Sequence, residues 1–403
     1  MVRNVKKIFI RIYQKIIYIA SFFLNFNEPI IIKGKNCFHD LAIILDHYNK
    51  SKALIVTDEG LHKLKMDAMI YEIFDDQCFK YALYYNISAN PSITQIEEGV
   101  KVYKENKCDC IVVIGGGSAI DAAKIIGARV SNPKKSIRKM KGLLKVTRKL
   151  PLMMAIPTTA GTGSEATVAA VVSNKETKEK FPIEDPKLIP AFAILNPKVL
   201  VNLPPHITST TGMDALTHAI EAYIGKANTK KTAHSAILAT QLIFKYLKYS
   251  YDNPLDLEAR EKMQIASYHA GVAFTRAYVG YVHAIAHTLG GFYNVPHGLA
   301  NAIILPIVLR QYGKKAYKPL ARLYECVTLD TSLSTKEKAL KFIEMIEELN
   351  KSLDIPNSLK EVIIDEDIPI MIKRAMKEAI PLYPTPTIWK YKDFEKIFKI
   401  LQK

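Results

Sequence analysis

Cys110-Ile111-Val112-Val113-Ile114-Gly115-Gly116-Gly117-Ser118-Ala119-Ile120-Asp121-Ala122-Ala123-Lys124 reads as a strand, a turn and the start of a helix. The first five residues are apolar without alternation, as in a strand buried on both faces. Three glycines then let the backbone turn sharply, and Ala119, Ile120, Ala122 and Ala123 give the following helix an apolar face. Glycines admit the close approach of a pyrophosphate, and a helix start offers free N–H groups at the positive end of its dipole. The spacing is neither the six-residue glycine fingerprint of ordinary Rossmann proteins nor the lysine-bearing phosphate loop. On this stretch alone, a tight turn with no ligand stays open.

Runs of the same kind recur on either side, at Ile30–Ile32, Ala53–Val56, Leu152–Ile156 and Ala193–Leu195, with helix-like segments between them. Short apolar strands separated by helices predict a parallel sheet covered on both faces, an α/β dinucleotide-binding domain over residues 30–205. A second loop, Pro157-Thr158-Thr159-Ala160-Gly161-Thr162-Gly163-Ser164-Glu165, also follows a buried strand. Its hydroxyls suit phosphate and ribose, although an ordinary cap and turn looks the same. Two such loops in one domain point to a nucleotide site at the switch point of an open sheet. The candidate contacts are Gly115, Gly116, Gly117, Ser118, Asp121, Thr158, Thr159, Thr162 and Ser164. Asp58, just past Ala53–Thr57, can accept from a ribose 2′-hydroxyl and would repel a 2′-phosphate, which predicts NAD over NADP. A plain helix-capping aspartate is the alternative.

After Pro204 and Pro205 the strand signal fades, and Thr208–Tyr223, Thr232–Tyr249, Asp256–Phe274 and Lys336–Leu353 read as helices of a second domain over 206–403. A ligand cleft between two such domains is the ordinary expectation. Within Thr208–Tyr223, Asp214 and His218 stand four residues apart, on one helix face and able to reach a common ion. Downstream, His283 and His287 share a face in the same way, and Pro296-His297-Gly298 follows. A single such pair is more often structural than ligating; two groups together point to a metal. One carboxylate with imidazoles and no thiolate suits iron(II), zinc, manganese or cobalt. With a coordination position left open, such a cation binds an alcohol oxygen and polarises a carbonyl, which beside a nicotinamide is hydride-transfer chemistry.

The rest of the composition sets bounds. With 403 residues, 49% of them hydrophobic, the chain has enough apolar material for two domains, which excludes a disordered or fibrous protein. Five sparse cysteines predict reduced thiols and a cytoplasmic protein. The net charge of +17 fits a nucleic-acid or membrane partner, but no nucleic-acid-binding module is recognisable, and none is expected as a partner. Residues 1–29 form a segment of their own. Arg3, Lys6, Lys7, Arg11 and Lys15 alternate with Val5, Ile8, Phe9, Ile12, Ile16, Ile19, Phe22 and Phe23 at helical spacing, with no acid before Glu28. The uncharged run is too short to span a bilayer. A helix packed on its own domain, a peripheral membrane-surface helix and an unusual targeting segment all remain open.

Taken together, Gly115–Lys124, Pro157–Glu165, Gly212–Tyr223, Gly280–Ala302 and Pro381-Leu382-Tyr383-Pro384-Thr385-Pro386 resemble the iron-containing (group III) alcohol dehydrogenases, whose members include lactaldehyde reductase and bacterial butanol dehydrogenases. The resemblance covers roughly residues 30 to 400. It implies an α/β N-terminal dinucleotide-binding domain plus an all-α C-terminal domain, the architecture shared with dehydroquinate synthases. The implied activity is NAD-dependent hydride transfer with small primary alcohols, diols or their aldehydes in a homo-oligomer, a dimer or larger. By position it makes Asp214, His218, His283 and His297 the ligands of Fe2+, with Zn2+ the alternative, and lays Thr158 and Thr159 along the cofactor. His287 is left near the substrate, free to relay a proton, although spacing alone would pair it with His283. Asn196 stands where the family often has aspartate, and the first thirty residues inherit no role. A glycerol- or polyol-dehydrogenase-like enzyme on the same fold is the alternative function.

Overall fold

The computed structural model describes residues 2–174, 179–360 and 362–403. Met1, and the side chains of Arg3, Val5 and Lys6 in the predicted first helix, lie outside the described residues. The chain forms two compact units. One holds Asn25–Asn202 and Leu255–Tyr268; the other holds the first helix through Leu24, Leu203–Pro254 and His269–Lys403.

Among the described residues the first unit has nine strands: β1 (Ile30–Lys33), β2 (Lys52–Val56), β3 (Lys80–Tyr84), β4 (Cys110–Gly115), β5 (Gly142–Leu143), β6 (Leu152–Pro157), β7 (Ala169–Asn174), β8 (Glu179–Glu184) and β9 (Phe192–Leu195). Six of them make one sheet in the order β1-β9-β6-β4-β2-β3, with every pairing parallel. All six residues of β4 are buried, which accounts for its unbroken apolar run. Helix α2 (Gly117–Ser131) lays Ala119, Ile120 and Ala123 into the same core as Leu54, Val56, Ile111 and Val113. From β2 the chain moves outward to β3 and then returns to the other side of β2 as β4. The switch point of the sheet therefore lies where β2 and β4 end, beside Asp58 and Gly115.

Two parts of this unit carry no signal that the sequence reading caught. The edge strand β3 reads Lys-Tyr-Ala-Leu-Tyr and is mostly half-buried, so it lacks the apolar run of its neighbours. A second sheet in the order β5-β8-β7, with β7 and β8 antiparallel, lies within the same unit. Asp109 ties the starts of β2 and β4 together: one carboxylate oxygen accepts from the Ser51 amide at 2.8 Å and its hydroxyl at 2.9 Å, the other from the Lys52 amide at 3.2 Å.

In the second unit the helices that matter for the site are α1 (Val2–Ser21), α3 (Pro205–Ile224), α4 (Tyr281–Tyr293), α5 (His297–Tyr312) and α6 (Ile368–Ala379). Proline in the first turn starts α3, where its missing N–H costs nothing. Helix α5 packs on α3, and α4 packs on both α5 and α6. Helix α1 turns a polar side inward, its Gln14 amide donating to the carbonyls of Pro381 and Tyr383, both at 2.8 Å. Among the described residues no helix is long and apolar enough to cross a membrane.

Candidate metal centre and nucleotide loops

Three helices converge on one cluster. Asp214 and His218 come from consecutive turns of α3, His283 from the first turn of α4, and His297 from the first residue of α5. One ligand atom from each lies within 4.8 Å of all the others. Asp214 Oδ1 is 3.5 Å from His297 Nε2, 3.8 Å from His283 Nε2 and 4.0 Å from His218 Nδ1. Donor atoms around a tetrahedral ion with bonds of about 2.1 Å stand roughly 3.4 Å apart, so only a small contraction would complete a coordination shell. The first three residues are buried and His297 is only partly so, which leaves one side accessible.

Protonation suits this use. Burial pushes the pKa of His283 well below its ordinary value and that of His297 down to about 4, leaving neutral imidazoles whose lone pairs can bind a cation. The balance of donors and acceptors also favours a cation. Asn301, one turn beyond His297, sets its amide nitrogen 2.7 Å from Asp214 Oδ1, 3.1 Å from His297 Nε2 and 3.2 Å from His283 Nε2. With His297 in the tautomer that turns its Nε2 lone pair inward, two N–H bonds cannot satisfy three such acceptors, and the cluster has lone pairs to spare for a metal ion.

Behind the cluster lies Glu221, which falls within the stretch Gly212–Tyr223 but has no role from the sequence. It is fully enclosed, and burial pushes its pKa up to about 7. Its carboxylate accepts from the backbone amides of Gly280 and Val282, both at 2.8 Å, and from His283 Nδ1 at 2.7 Å. It therefore caps the start of α4 and holds the tautomer in which His283 Nε2 points its lone pair at the cluster. Gly280 makes this possible, because a Cβ there would stand 2.5 Å from Glu221 Oε1. The signal was present: Glu221 follows Asp214 by seven residues, on the same helix face.

His287 lies outside this ligand set. Its ring stacks on His297 with centroids 5.1 Å apart, and its Nδ1 is 2.8 Å from Glu378 Oε1 on α6. Tyr383 donates its hydroxyl to the same oxygen at 2.9 Å. The result is a line of exchangeable protons leading from the cluster's open side, with His287 and Glu378 both partly exposed.

In the sheet unit the two loops interlock. A Cβ on Gly117 would stand 2.8 Å from Thr162 Cγ2, and one on Gly116 would touch Thr159. The first turn of α2 has no side-chain cap, and Gly116, its N-cap residue, is extended. Ser118 accepts from the Asn90 amide at 3.3 Å, and the Thr158 amide donates to the Gly115 carbonyl at 3.0 Å. Asp121 and Ser164 spend their polar atoms on each other: Ser164 Oγ donates to Asp121 Oδ1 at 2.7 Å, and Asp121 Oδ2 accepts from the Val171 amide at 2.8 Å. They brace the loops from within. Lys124 does the same from below, its buried amine donating to the Thr167 carbonyl, the Thr167 hydroxyl and the Ala169 carbonyl, each at 2.9 Å. Burial brings its pKa down to about 8. Asp58 Oδ1 caps the following short helix, accepting from the Leu61 amide at 3.0 Å. Asp58 Oδ2 sits 3.6 Å from where a Cβ of Gly115 would be, at the sheet's switch point.

Known proteins resemble this chain in sequence and in fold. The family profile described as "Iron-containing alcohol dehydrogenase" matches residues 29–197, and that of the "Fe-containing alcohol dehydrogenase family, C-terminal" matches residues 208–401. An NAD-dependent methanol dehydrogenase of Bacillus methanolicus is 36% identical, the match covering 93% of this chain and 98% of that one. A 1,3-propanediol dehydrogenase of Klebsiella pneumoniae is 38% identical over 81% of this chain and 86% of its own length. The crystal structure of a 1,3-propanediol oxidoreductase superposes with a TM-score of 0.89 at 34% identity, covering 93% of this chain and 99% of that one. The chain belongs to the iron-containing alcohol dehydrogenase family.

Proposed function

We propose that this alcohol dehydrogenase moves hydride between NAD and a small primary alcohol or diol, at an iron ion held by Asp214, His218, His283 and His297. The observation that carries the reading is the convergence of four donor residues, three of them buried, on one small volume with the Asn301 amide as their shared neighbour. When bound there, the ion supplies Lewis acidity toward the substrate oxygen. The chain's own residues do the rest. Glu221 keeps His283 oriented, and Asp214 brings the negative charge that favours a divalent cation. His287 accepts the alcohol proton through Nε2 while Glu378 steadies Nδ1, and the proton leaves along the Glu378–Tyr383 line. The uncapped amides at the start of α2, with Gly115, Gly116, Gly117 and Ser118, hold the dinucleotide's pyrophosphate; Thr158, Thr159 and Thr162 line its course, and Asp58 takes a ribose hydroxyl.

The same reading places the enzyme in the cytoplasm as a homo-oligomer of two or more chains, a size that light scattering measures. The decisive test is anaerobic: metal content of the purified protein together with NAD reduction over a panel of alcohols. About one iron per chain, with turnover on short primary alcohols or diols and little on glycerol, is the expected result. A metal-free protein that is fully active, or one that prefers glycerol, would refute the reading.

A further inference from the structure

Helix α1 leaves most of its large apolar residues in solvent, unlike an ordinary surface helix. Its inward side is mixed: Gln14 and Ser21, 9% and 6% exposed, sit at its centre with Ile10, Ile17 and Tyr18 half-buried beside them. Gln14 is held by the Pro381 and Tyr383 carbonyls, and Arg11 donates to Gln14 Oε1 at 2.8 Å and to the Pro386 carbonyl at 3.4 Å. Further along, Arg276 lies over the Phe22 ring, 4.8 Å from its centroid. These contacts fix the helix's rotation about its own axis, and the opposite side is a stripe of large apolar residues left in solvent. Ile8, Phe9, Ile12, Ile16 and Ile19 recur at helical spacing along it and Phe23 extends it in the turn just past the helix, with Phe9 67%, Ile16 61% and Phe23 87% exposed. A continuous apolar stripe of this kind on a well-anchored helix marks an interaction surface.

Charge selects the occupant. The first 27 residues contain five Lys or Arg and no Asp or Glu, within a chain of net charge +17. The positive field extends to the body beside α1, where the Lys226 ammonium is held below its usual pKa, by burial first and then by Arg11 and Lys315. A second copy docking by the same stripe would bring two such basic segments together and pay for their repulsion. An anionic bilayer surface meets both demands at once, taking the apolar side chains into the headgroup boundary and the exposed Lys15 beside them to its phosphates, in the positive field of the whole segment.

We propose that α1 docks this enzyme on the surface of a membrane rich in anionic lipid, lying in the plane of the interface on its Ile8–Phe23 stripe. The test is flotation of the intact protein with vesicles of phosphatidylcholine alone, or of phosphatidylcholine with a minority of phosphatidylglycerol. The expected result is at least about tenfold stronger binding to the anionic vesicles, weakened by added salt. Phe9→Glu/Ile16→Glu should abolish flotation while turnover in solution is unchanged, since neither side chain touches the cofactor loops or the metal cluster. If that variant fails to fold, Lys15→Glu, which leaves the apolar stripe intact, should weaken anionic binding about fivefold or more. Failure of the intact protein to float with anionic vesicles overturns the proposal. So does equal flotation of wild type and stripe variant, or a stripe variant whose only change is a smaller oligomer by light scattering, which would make the stripe a contact between copies.

Discussion

Glu221 Oε2 stands 2.7 Å from His283 Nδ1, so the carboxylate that caps helix α4 is also the one that aims this imidazole at the cluster with Asp214, His218 and His297. Glu221→Gln keeps the shape but removes the charge and part of the accepting capacity. Metal affinity should fall about 10–100-fold, the usual cost of losing such a partner behind a ligand. Titration against a competing chelator measures it, and an unchanged affinity would show that the carboxylate serves α4 alone.

Gly280→Ala would place a methyl group 2.5 Å from Glu221 Oε1. The carboxylate sits in a packed interior and cannot swing away without abandoning the Gly280 and Val282 amides. A stability loss of about 1–3 kcal/mol is expected, together with weaker metal binding. Thermal unfolding with and without excess metal separates the two effects; a variant as stable and as metal-retentive as wild type would contradict the close packing.

Among the clustered histidines the division of labour is sharp. His283→Ala and His297→Ala should each lose the ion and nearly all activity, whereas His287→Ala should keep stoichiometric metal and lose turnover by about 10²–10⁴-fold, the scale of a missing general base. Metal analysis of the three purified variants decides the matter. A folded but metal-free His287→Ala protein would move His287 into the ligand set.

Asp58 both caps a helix and faces the glycine loop, and glycine can replace it in the first role at a cost of only a few tenths of a kcal/mol. Asp58→Gly should therefore leave the fold nearly as stable while shifting the NAD to NADP preference toward NADP by about tenfold, as a charge repulsion of a kcal/mol or so is removed. Ratios of kcat/KM for the two cofactors give the answer directly.

Asp109 predicts a pH dependence of stability. Burial alone would raise its pKa, but its hydrogen bonds from Ser51 and Lys52 outweigh that and hold it below the ordinary aspartate value. A depressed folded-state pKa gives stabilisation that is present in full above the ordinary aspartate range and lost as the pH falls through the folded value. Because the carboxylate is only partly buried, Asp109→Asn should cost only about 1 kcal/mol at neutral pH. Urea denaturation of the two proteins should show that gap closing in acid; a gap that persists there would assign the effect to shape rather than charge.

How much of this was legible depends on the kind of signal. Strand β4 and its glycine loop announce themselves because burial on both faces leaves an unbroken apolar run. Strand β3 does not, because an edge strand can carry the exposed Lys80 and the half-buried Tyr81. At the metal cluster, spacing found Asp214 with His218 but nominated His283 with His287, since periodicity cannot see past the chain reversal at Pro296. Pro296-His297-Gly298 stood in the same group of candidates, but only the resemblance to a known family put His297 in the place of His287. Glu221 and Asn301 were within reach, seven residues beyond Asp214 and four beyond His297 on their own helix faces. Glu378, ninety-one positions from His287, was not, because no local pattern links α4 to α6.

The interlock between Gly117 and Thr162 has a consequence for anyone wishing to redesign cofactor use. Because the threonine's methyl group fills the space that any side chain at position 117 would need, the two turns behave as a key and its ward. Substituting one turn at a time meets a clash or leaves a void, so single-site libraries over either segment would be dominated by inactive clones. Productive variants should come from recombining the turns in matched pairs, with Asp121 and Ser164 carried along as the bolt that joins them.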